Sequence, residues 1–368
     1  APATVKVAAR SAPGARAATF TVAGAVRRGL TAAGFEVEKM PGFGRKRQRL
    51  EARLAGAPPA DRPMPRVAVI GAGIAGASAA RALRALGCEP VVLEAEGAGA
   101  GASGNPAALV TPRLDAGLGP VAQLGAQAFA RAVDLYRAEP ASIISSSVMQ
   151  LTSSEKDEGR FAKIAASDIF EPGALQPLDA GQATSRLGET APPALDLIPA
   201  LVIAPQAILP RWAGPITSAK VAVITREDDA WTLRDLSGEL IATADAVILA
   251  AGSASAALWP PLELGAVRGQ ASWTQNASID QAVAWGGYAI PTRDGVLFGA
   301  THDRDDTGDD VREADHLRNR ATLAAALPGL AGKLAAAPLE GRASIRATTT
   351  DRLPTAGAAE ATPGLYLL

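Results

Sequence analysis

Gly71-Ala72-Gly73-Ile74-Ala75-Gly76 is the stretch of this 368-residue chain with the clearest chemical purpose. It follows the apolar run Val67-Ala68-Val69-Ile70 directly and opens a segment with helical spacing, so the glycines occupy a strand-to-helix turn. Gly71 permits the tight turn, Gly73 lets the backbone approach a pyrophosphate, and Gly76 lets helix and strand pack closely. The unbonded N–H groups at the start of such a helix add positive partial charge, and Ala72, Ile74 and Ala75 complete the backbone cradle. Glu94 follows at the end of a second strand-like run, where a carboxylate accepts hydrogen bonds from an adenosine ribose. A glycine-rich turn that binds nothing is the alternative, but strand, glycines, helix and acid in that order favour a dinucleotide site.

FAD and NAD are not separated by these glycines. The deciding stretch is the small-residue loop 99–108, just after Glu94, in which Ser103, Gly104 and Asn105 offer contacts to ribityl or phosphate groups of a bulky flavin. A flexible linker is the competing reading, and it is unusual between two elements of one nucleotide-binding unit. Val221, heading the strand-like run 221–224, and Ala251 and Gly252, closing the buried run that starts at residue 246, complete the candidate cofactor contacts. FAD is the expected cofactor.

Catalysis has to proceed without the usual residues. There are two histidines, His302 and His316, both in a charged stretch, so a nucleophilic triad is not expected. Flavin oxidation of an amine needs little acid or base help, because the protein chiefly orients the substrate. Arg346 has small and apolar neighbours and no adjacent carboxylate, so its fork suits a substrate carboxylate; a structural salt bridge is the alternative.

The elements that must position these residues are legible around them. The apolar fraction of 48% with 20% charged residues is that of a globular protein, and the length allows two or three domains. No apolar run reaches the ~18 residues of a membrane span. The single cysteine, Cys88, reads as a buried small hydrophobe, and a cytoplasmic location is expected.

Residues 1–66 hold 13 Lys and Arg against 4 Asp and Glu (net +9), whereas residues 67–368 hold 23 against 33 (net −10). The spacing predicts a helix over 22–33, a strand over 35–38, a loop over 41–44, then a basic helix carrying Arg45, Lys46, Arg47, Arg49 and Arg53. That basic segment can meet phosphates or form a solvated helix face. The proline-rich residues 55–65 read as a linker. Further on, helices are predicted over about 75–86, 120–138 and 312–326, strands at 231–233 and 246–250, and a hairpin with strands at 288–291 and 296–298. The acidic stretch 303–310 lacks metal-ligand spacing, so no metal is expected there.

These residues resemble a known family, the bifunctional tRNA 5-methylaminomethyl-2-thiouridine biosynthesis proteins, whose C-terminal half belongs to the D-amino-acid oxidase and glycine oxidase superfamily. The resemblance runs through Thr19-Phe20-Thr21, Val26-Arg27-Arg28-Gly29-Leu30, Gly34-Phe35, Gly42-Phe43-Gly44-Arg45-Lys46-Arg47, Gly101-Ala102-Ser103-Gly104-Asn105, Arg268-Gly269-Gln270, Phe298-Gly299-Ala300-Thr301 and Asp351-Arg352-Leu353-Pro354. It implies an α/β fold with a discontinuous Rossmann-like FAD-binding domain (about 66–111, 205–261 and 345–368) and a mixed α+β substrate domain (about 112–204 and 262–344).

Residues 1–56 resemble the C-terminal end of the family's methyltransferase domain, and residues 57–65 read as the linker that follows it. S-adenosylmethionine is therefore a cofactor of the full-length family protein, with no methylation expected from this chain alone. By the same resemblance the family continues beyond Leu368 into a glycine-rich turn. The implied reaction is flavin-dependent removal of the carboxymethyl group from 5-carboxymethylaminomethyl-2-thiouridine at the wobble position of tRNA, with release of glyoxylate. Tyr288 and Arg346 match the superfamily positions that hold the substrate carboxylate, and Arg268 is the next candidate for that clamp. The alternatives are an oxidase of a small free amino acid, such as glycine or sarcosine, and an RNA-binding fragment without flavin.

Overall fold

The computed structural model describes residues 3–42, 47–56 and 63–368, and the chain divides into two compact units, Ala1–Met64 and Pro65–Leu368. In the first, strand Gln48–Leu54 lies between Arg16–Thr19 and Phe35–Pro41, antiparallel to both. Helix Gly24–Ala32 brings Leu30 and Val26 onto Phe35, Ala52 and Leu54.

The basic helix expected after residue 44 is therefore a strand. Its period is two: Leu50 and Ala52 are buried between the more exposed Arg49, Glu51 and Arg53. Arg49 and Glu51, two residues apart, form an ion pair at 2.6 Å, as same-face strand neighbours can. Arg45, Lys46 and the linker residues 57–62 lie outside the described residues.

The second unit is built on two large sheets. The smaller has six strands in the order Ile216–Ser218, Val91–Glu94, Val67–Ile70, Ala246–Leu249, Leu365–Leu367 and Gly357–Ala358, parallel except for the last. All four residues of Val67–Ile70 are buried, as a central parallel strand covered on both faces requires. Helix Ile74–Ala85 covers this sheet through Gly76, Ala77 and Ala80, whose small size permits close approach. Helix Pro205–Ala213 packs against that helix, and Arg84 donates to the carbonyls of Trp212 and Ala213. Cys88 is buried, as its sequence context predicts. The strand expected at 221–224 begins two residues later, at Val223–Glu227, so Val221 lies before it.

The other sheet has ten strands. At its core Gly265–Thr274 pairs with Glu340–Thr348 on one side and with Val296–Gly299 and Asp303–Arg304 on the other. Tyr288–Pro291, Ala282–Ala284, Ile143–Leu151, Ala194–Ile203 and Ala108–Val110 continue it. The hairpin Tyr288–Pro291 and Val296–Gly299 forms as its sequence predicts, closed by Thr292 N–H to Gly295 O at 2.8 Å.

Side chains alternate between the faces of Gly265–Thr274. Arg268, Gln270 and Ser272 face helix Glu313–Ala326. There Ser272 Oγ meets His316 Nδ1 at 2.8 Å, and Asn319 Nδ2 donates to Gln270 O and Ser272 Oγ. Arg268 is fully buried and pairs with Asp315 at 2.5 Å. Removing one partner of a buried pair strands a charge, so Asp315→Ala should lower the unfolding free energy by about 3–5 kcal/mol in denaturant titration. An Arg268→Met, Asp315→Leu double variant should lose less, because no unpaired charge remains.

Candidate active site

Ligands of open parallel sheets bind beyond the carboxyl ends of the strands, which is where the glycine loop lies. Gly71 has φ +104°, and a Cβ there would collide with Ala250 O at the end of the neighbouring strand. A Cβ on Gly76 would collide with Gly71 O, so helix and turn touch backbone to backbone. At Gly73 the nearest atom a Cβ would meet is Ser103 Oγ, at 3.2 Å. Ile74 N–H, in the first turn of the 12-residue helix, donates to that hydroxyl at 3.0 Å.

The loop after Glu94 thus returns to the helix start, and Gly99 N–H donates to Ala72 O at 3.2 Å. Glu94 also belongs to this cluster: its carboxylate accepts from the N–H groups of Ala72 (2.7 Å), Ala95 (2.8 Å) and Glu96 (3.2 Å). Gly104 is held against Gly99 O, and Gln206 Nε2 donates to Gly104 O at 3.3 Å. Asn105, next in the chain, is half-buried. On the other side of the central strand, Ala251 N–H donates to Ser255 Oγ and Gly252 adopts φ +58° just past Ala246–Leu249. Val221 packs partly buried against the apolar cluster of that sheet. Close backbone contacts, a helix N-terminus and glycines whose Cβ positions are already filled suit a nucleotide that must approach the main chain, so these residues fit FAD.

Arg346 lies on the face of the ten-stranded sheet opposite helix Glu313–Ala326, paired in register with Val267. Its guanidinium lies over Gly269, where a Cβ would come within 2.5 Å of the guanidinium carbon, and Nη1 reaches Thr301 O at 3.4 Å. Among the described residues no carboxylate is within salt-bridge distance of Arg346.

Tyr288 opposes Gly299 on the same face. Burial pushes its phenol above the ordinary tyrosine value, and the positive charge of Arg346 pulls it back only in part. The phenol therefore remains a neutral hydrogen-bond donor.

Arg268, the fallback clamp, points to the other face, where its Nη1 and Nη2 donate to Asp315, Gln270 and Asp310 O. Alternation along the strand places Arg268 and the Arg346-contacting Gly269 on opposite faces. The acidic stretch is an ion-pair belt. Asp306 and Asp310 bind Arg312, whose hydrogen bonds hold the Asp306 carboxyl at about 2, and Asp303 binds Arg318. No cluster suited to a metal occurs among the described residues.

Sequence reasoning missed Arg342. Its guanidinium donates to the carbonyls of Gly99, Ala100 and Gly101. Its spacing of four from Arg346 on a strand, which puts both on one face, was the available signal.

A glycine-loop nucleotide cradle on a parallel sheet, beside a second sheet that presents an arginine without a carboxylate partner among the described residues, defines a flavoenzyme architecture. The chain belongs to the FAD dependent oxidoreductase family, which residues 66–368 match, and its cofactor is FAD. Residues 4–55 match the S-adenosyl-L-methionine-dependent methyltransferase family.

Among curated proteins the chain is 57% identical over 350 residues to the tRNA 5-methylaminomethyl-2-thiouridine biosynthesis bifunctional protein MnmC of Caulobacter vibrioides, covering 95% of this chain and 59% of that protein. It thus spans about three fifths of that relative's length. Among solved structures, glycine oxidase from Geobacillus kaustophilus superposes with a TM-score of 0.70 at 21% identity, over 83% of this chain and 89% of that one. Iminodiacetate oxidase from Chelativorans sp. gives 0.66 at 21%, over 82% and 89%. Both likenesses establish the fold.

Proposed function

We propose that this chain carries the oxidative half of a wobble-uridine modification: removal of the carboxymethyl group from 5-carboxymethylaminomethyl-2-thiouridine in tRNA. The observation that carries this reading is Arg346, a cation without a carboxylate partner among the described residues, on the same sheet face as Tyr288. The similarity to the Caulobacter vibrioides protein, whose name specifies tRNA 5-methylaminomethyl-2-thiouridine biosynthesis, supplies the substrate class.

The substrate carries an N–CH2–COO⁻ arm. Arg346 holds its carboxylate through two parallel N–H donors, and the neutral Tyr288 hydroxyl donates a further hydrogen bond. FAD held by the glycine loop would supply the two-electron acceptor for oxidation of the methylene carbon. Loss of hydride from the neutral amine leaves an iminium that keeps its N–H, water adds to that carbon, and cleavage of the C–N bond gives glyoxylate and the protonated primary amine on the base. Arg346 and Tyr288 fix the methylene carbon in place, and the lone pair of the unprotonated amine stabilises the developing iminium, so the oxidation step calls for no side-chain base.

A tRNA substrate places the reaction in the cytoplasm. It also gives the net positive residues 1–66 a use, since contacts to phosphates weaken as salt rises. Methylation of the exposed amine with S-adenosylmethionine belongs, on this reading, to the complete bifunctional protein.

The test is to incubate the flavin-loaded protein separately with tRNA bearing the carboxymethylaminomethyl group, with glycine and with sarcosine, and to analyse the nucleosides and glyoxylate. The modified tRNA should be converted to the aminomethyl nucleoside with equimolar glyoxylate, at an efficiency that falls with salt. Efficient turnover of glycine or sarcosine with no change in the tRNA would replace this reading by that of a small amino-acid oxidase.

A further inference from the structure

Arg342 joins parts of the chain more than 240 residues apart. Three successive carbonyls of the small-residue loop accept from its Nη2: Gly99 at 3.2 Å, Gly101 at 2.9 Å, and Ala100 between them. Carbonyls that converge on one cation fix a loop whose small side chains cannot fix themselves. Gly104 closes the same loop, and a Cβ there would meet Arg342 Nη2 at 2.7 Å. Beside these contacts Arg342 Nε is buried without a partner among the described residues, a donor left over next to the loop that supplies the candidate cofactor contacts.

The strand that carries Arg342 also carries the proposed clamp. Arg342 opposes Ala271 and Arg346 opposes Val267, so the two arginines share a face two pleats apart. Ala271 in turn opposes Gly299, and Gly299 opposes Tyr288, which puts Tyr288 in the same row as Arg342.

We propose that Arg342 is a positioning residue that holds the 99–104 loop in its FAD-binding shape and sets the flavin in register with Arg346. The FAD half of this statement rests on the family and the loop geometry. The register half rests on the clamp role proposed for Arg346. Loss of Arg342 frees three carbonyls and the tight Gly99–Gly104 approach, so the loop samples open shapes and FAD dissociates faster. In the FAD that remains bound, the ring environment changes.

The experiment titrates apoprotein of Arg342→Ala, Arg342→Lys and Arg346→Leu with FAD. It follows flavin fluorescence for affinity and the visible absorption bands for ring environment, with circular dichroism as a check on folding. Arg342→Ala should raise the FAD dissociation constant at least ten-fold and shift the bands at saturation. Arg342→Lys, with one ammonium for three acceptors, should fall between it and the parent, and Arg346→Leu should bind FAD as the parent does.

Parental affinity and bands for Arg342→Ala would overturn the proposal. If that variant does not fold, parental affinity and bands for Arg342→Lys would overturn it equally. Since no tRNA enters this measurement, failure of the substrate reading would leave its outcome unchanged.

Discussion

Replacing Arg346 by leucine should slow oxidation of the carboxymethylated base roughly ten- to a hundred-fold while FAD stays bound. The estimate follows from the loss of one charged hydrogen-bonding group, worth about 1.5–3 kcal/mol, at about 1.4 kcal/mol per factor of ten. The side chain has no acid partner among the described residues, its Nη1 contact to Thr301 O is long, and leucine leaves the strand pairing with Val267 untouched, so little stability should be lost. Both apparent affinity and rate should fall, because a mobile carboxylate also misplaces the methylene carbon for hydride transfer. Arg346→Lys should restore only part of the rate, since an ammonium cannot form the paired, planar contact. Single-turnover kinetics with modified tRNA, run beside flavin-content and tRNA-binding assays, separates these effects. A parental rate in Arg346→Leu would make the arginine structural.

Gly73→Asp should abolish FAD binding without unfolding the protein. Gly73 is the N-cap of helix Ile74–Ala85 with φ −70° and ψ −175°, an extended conformation open to any residue, and its Cβ would have Ser103 Oγ at 3.2 Å. Aspartate is also a favoured N-cap, so the apoprotein should melt no lower than the parent. The carboxylate would occupy the position that a pyrophosphate needs. Two like charges about 4 Å apart at an effective dielectric near 20 repel by about 4 kcal/mol, which weakens binding about a thousand-fold. Flavin absorbance after purification and the melting temperature of the apoprotein check the two halves of this expectation. Full flavin content would remove the glycine loop from the cofactor site.

The glycine loop was legible in the sequence because its geometry is local. A strand, a turn and a helix within 20 residues place Gly71, Gly73 and Gly76, and Gly71 and Gly76 have the tight backbone environment that their spacing implies. The parallel strand Ala246–Leu249 was legible for the same reason, as a short apolar run ending in glycine.

What was not legible depended on partners distant in sequence. The strand Gln48–Leu54 reads as a helix in the sequence because its charges mask the alternation of Leu50, Ala52 and Leu54, an alternation made stable by two flanking strands. Arg342 carried no motif, and its role depends on carbonyls more than 240 residues away. Arg268 and Arg346 both looked available for a carboxylate. The partner that removes Arg268, Asp315, comes from a helix 47 residues downstream.

Oxidation of the carboxymethyl arm by this chain is tested most directly by mixing the flavin-loaded protein anaerobically with tRNA carrying 5-carboxymethylaminomethyl-2-thiouridine and following the bleaching of flavin absorbance. The same tRNA with an aminomethyl group in place of the carboxymethylaminomethyl group serves as the comparison. A single bleaching phase is expected with the carboxylated tRNA, slowed in Arg346→Leu, and none with the comparison tRNA. Equal bleaching by both tRNAs, or bleaching by neither in a protein that carries its full complement of FAD, would contradict this expectation.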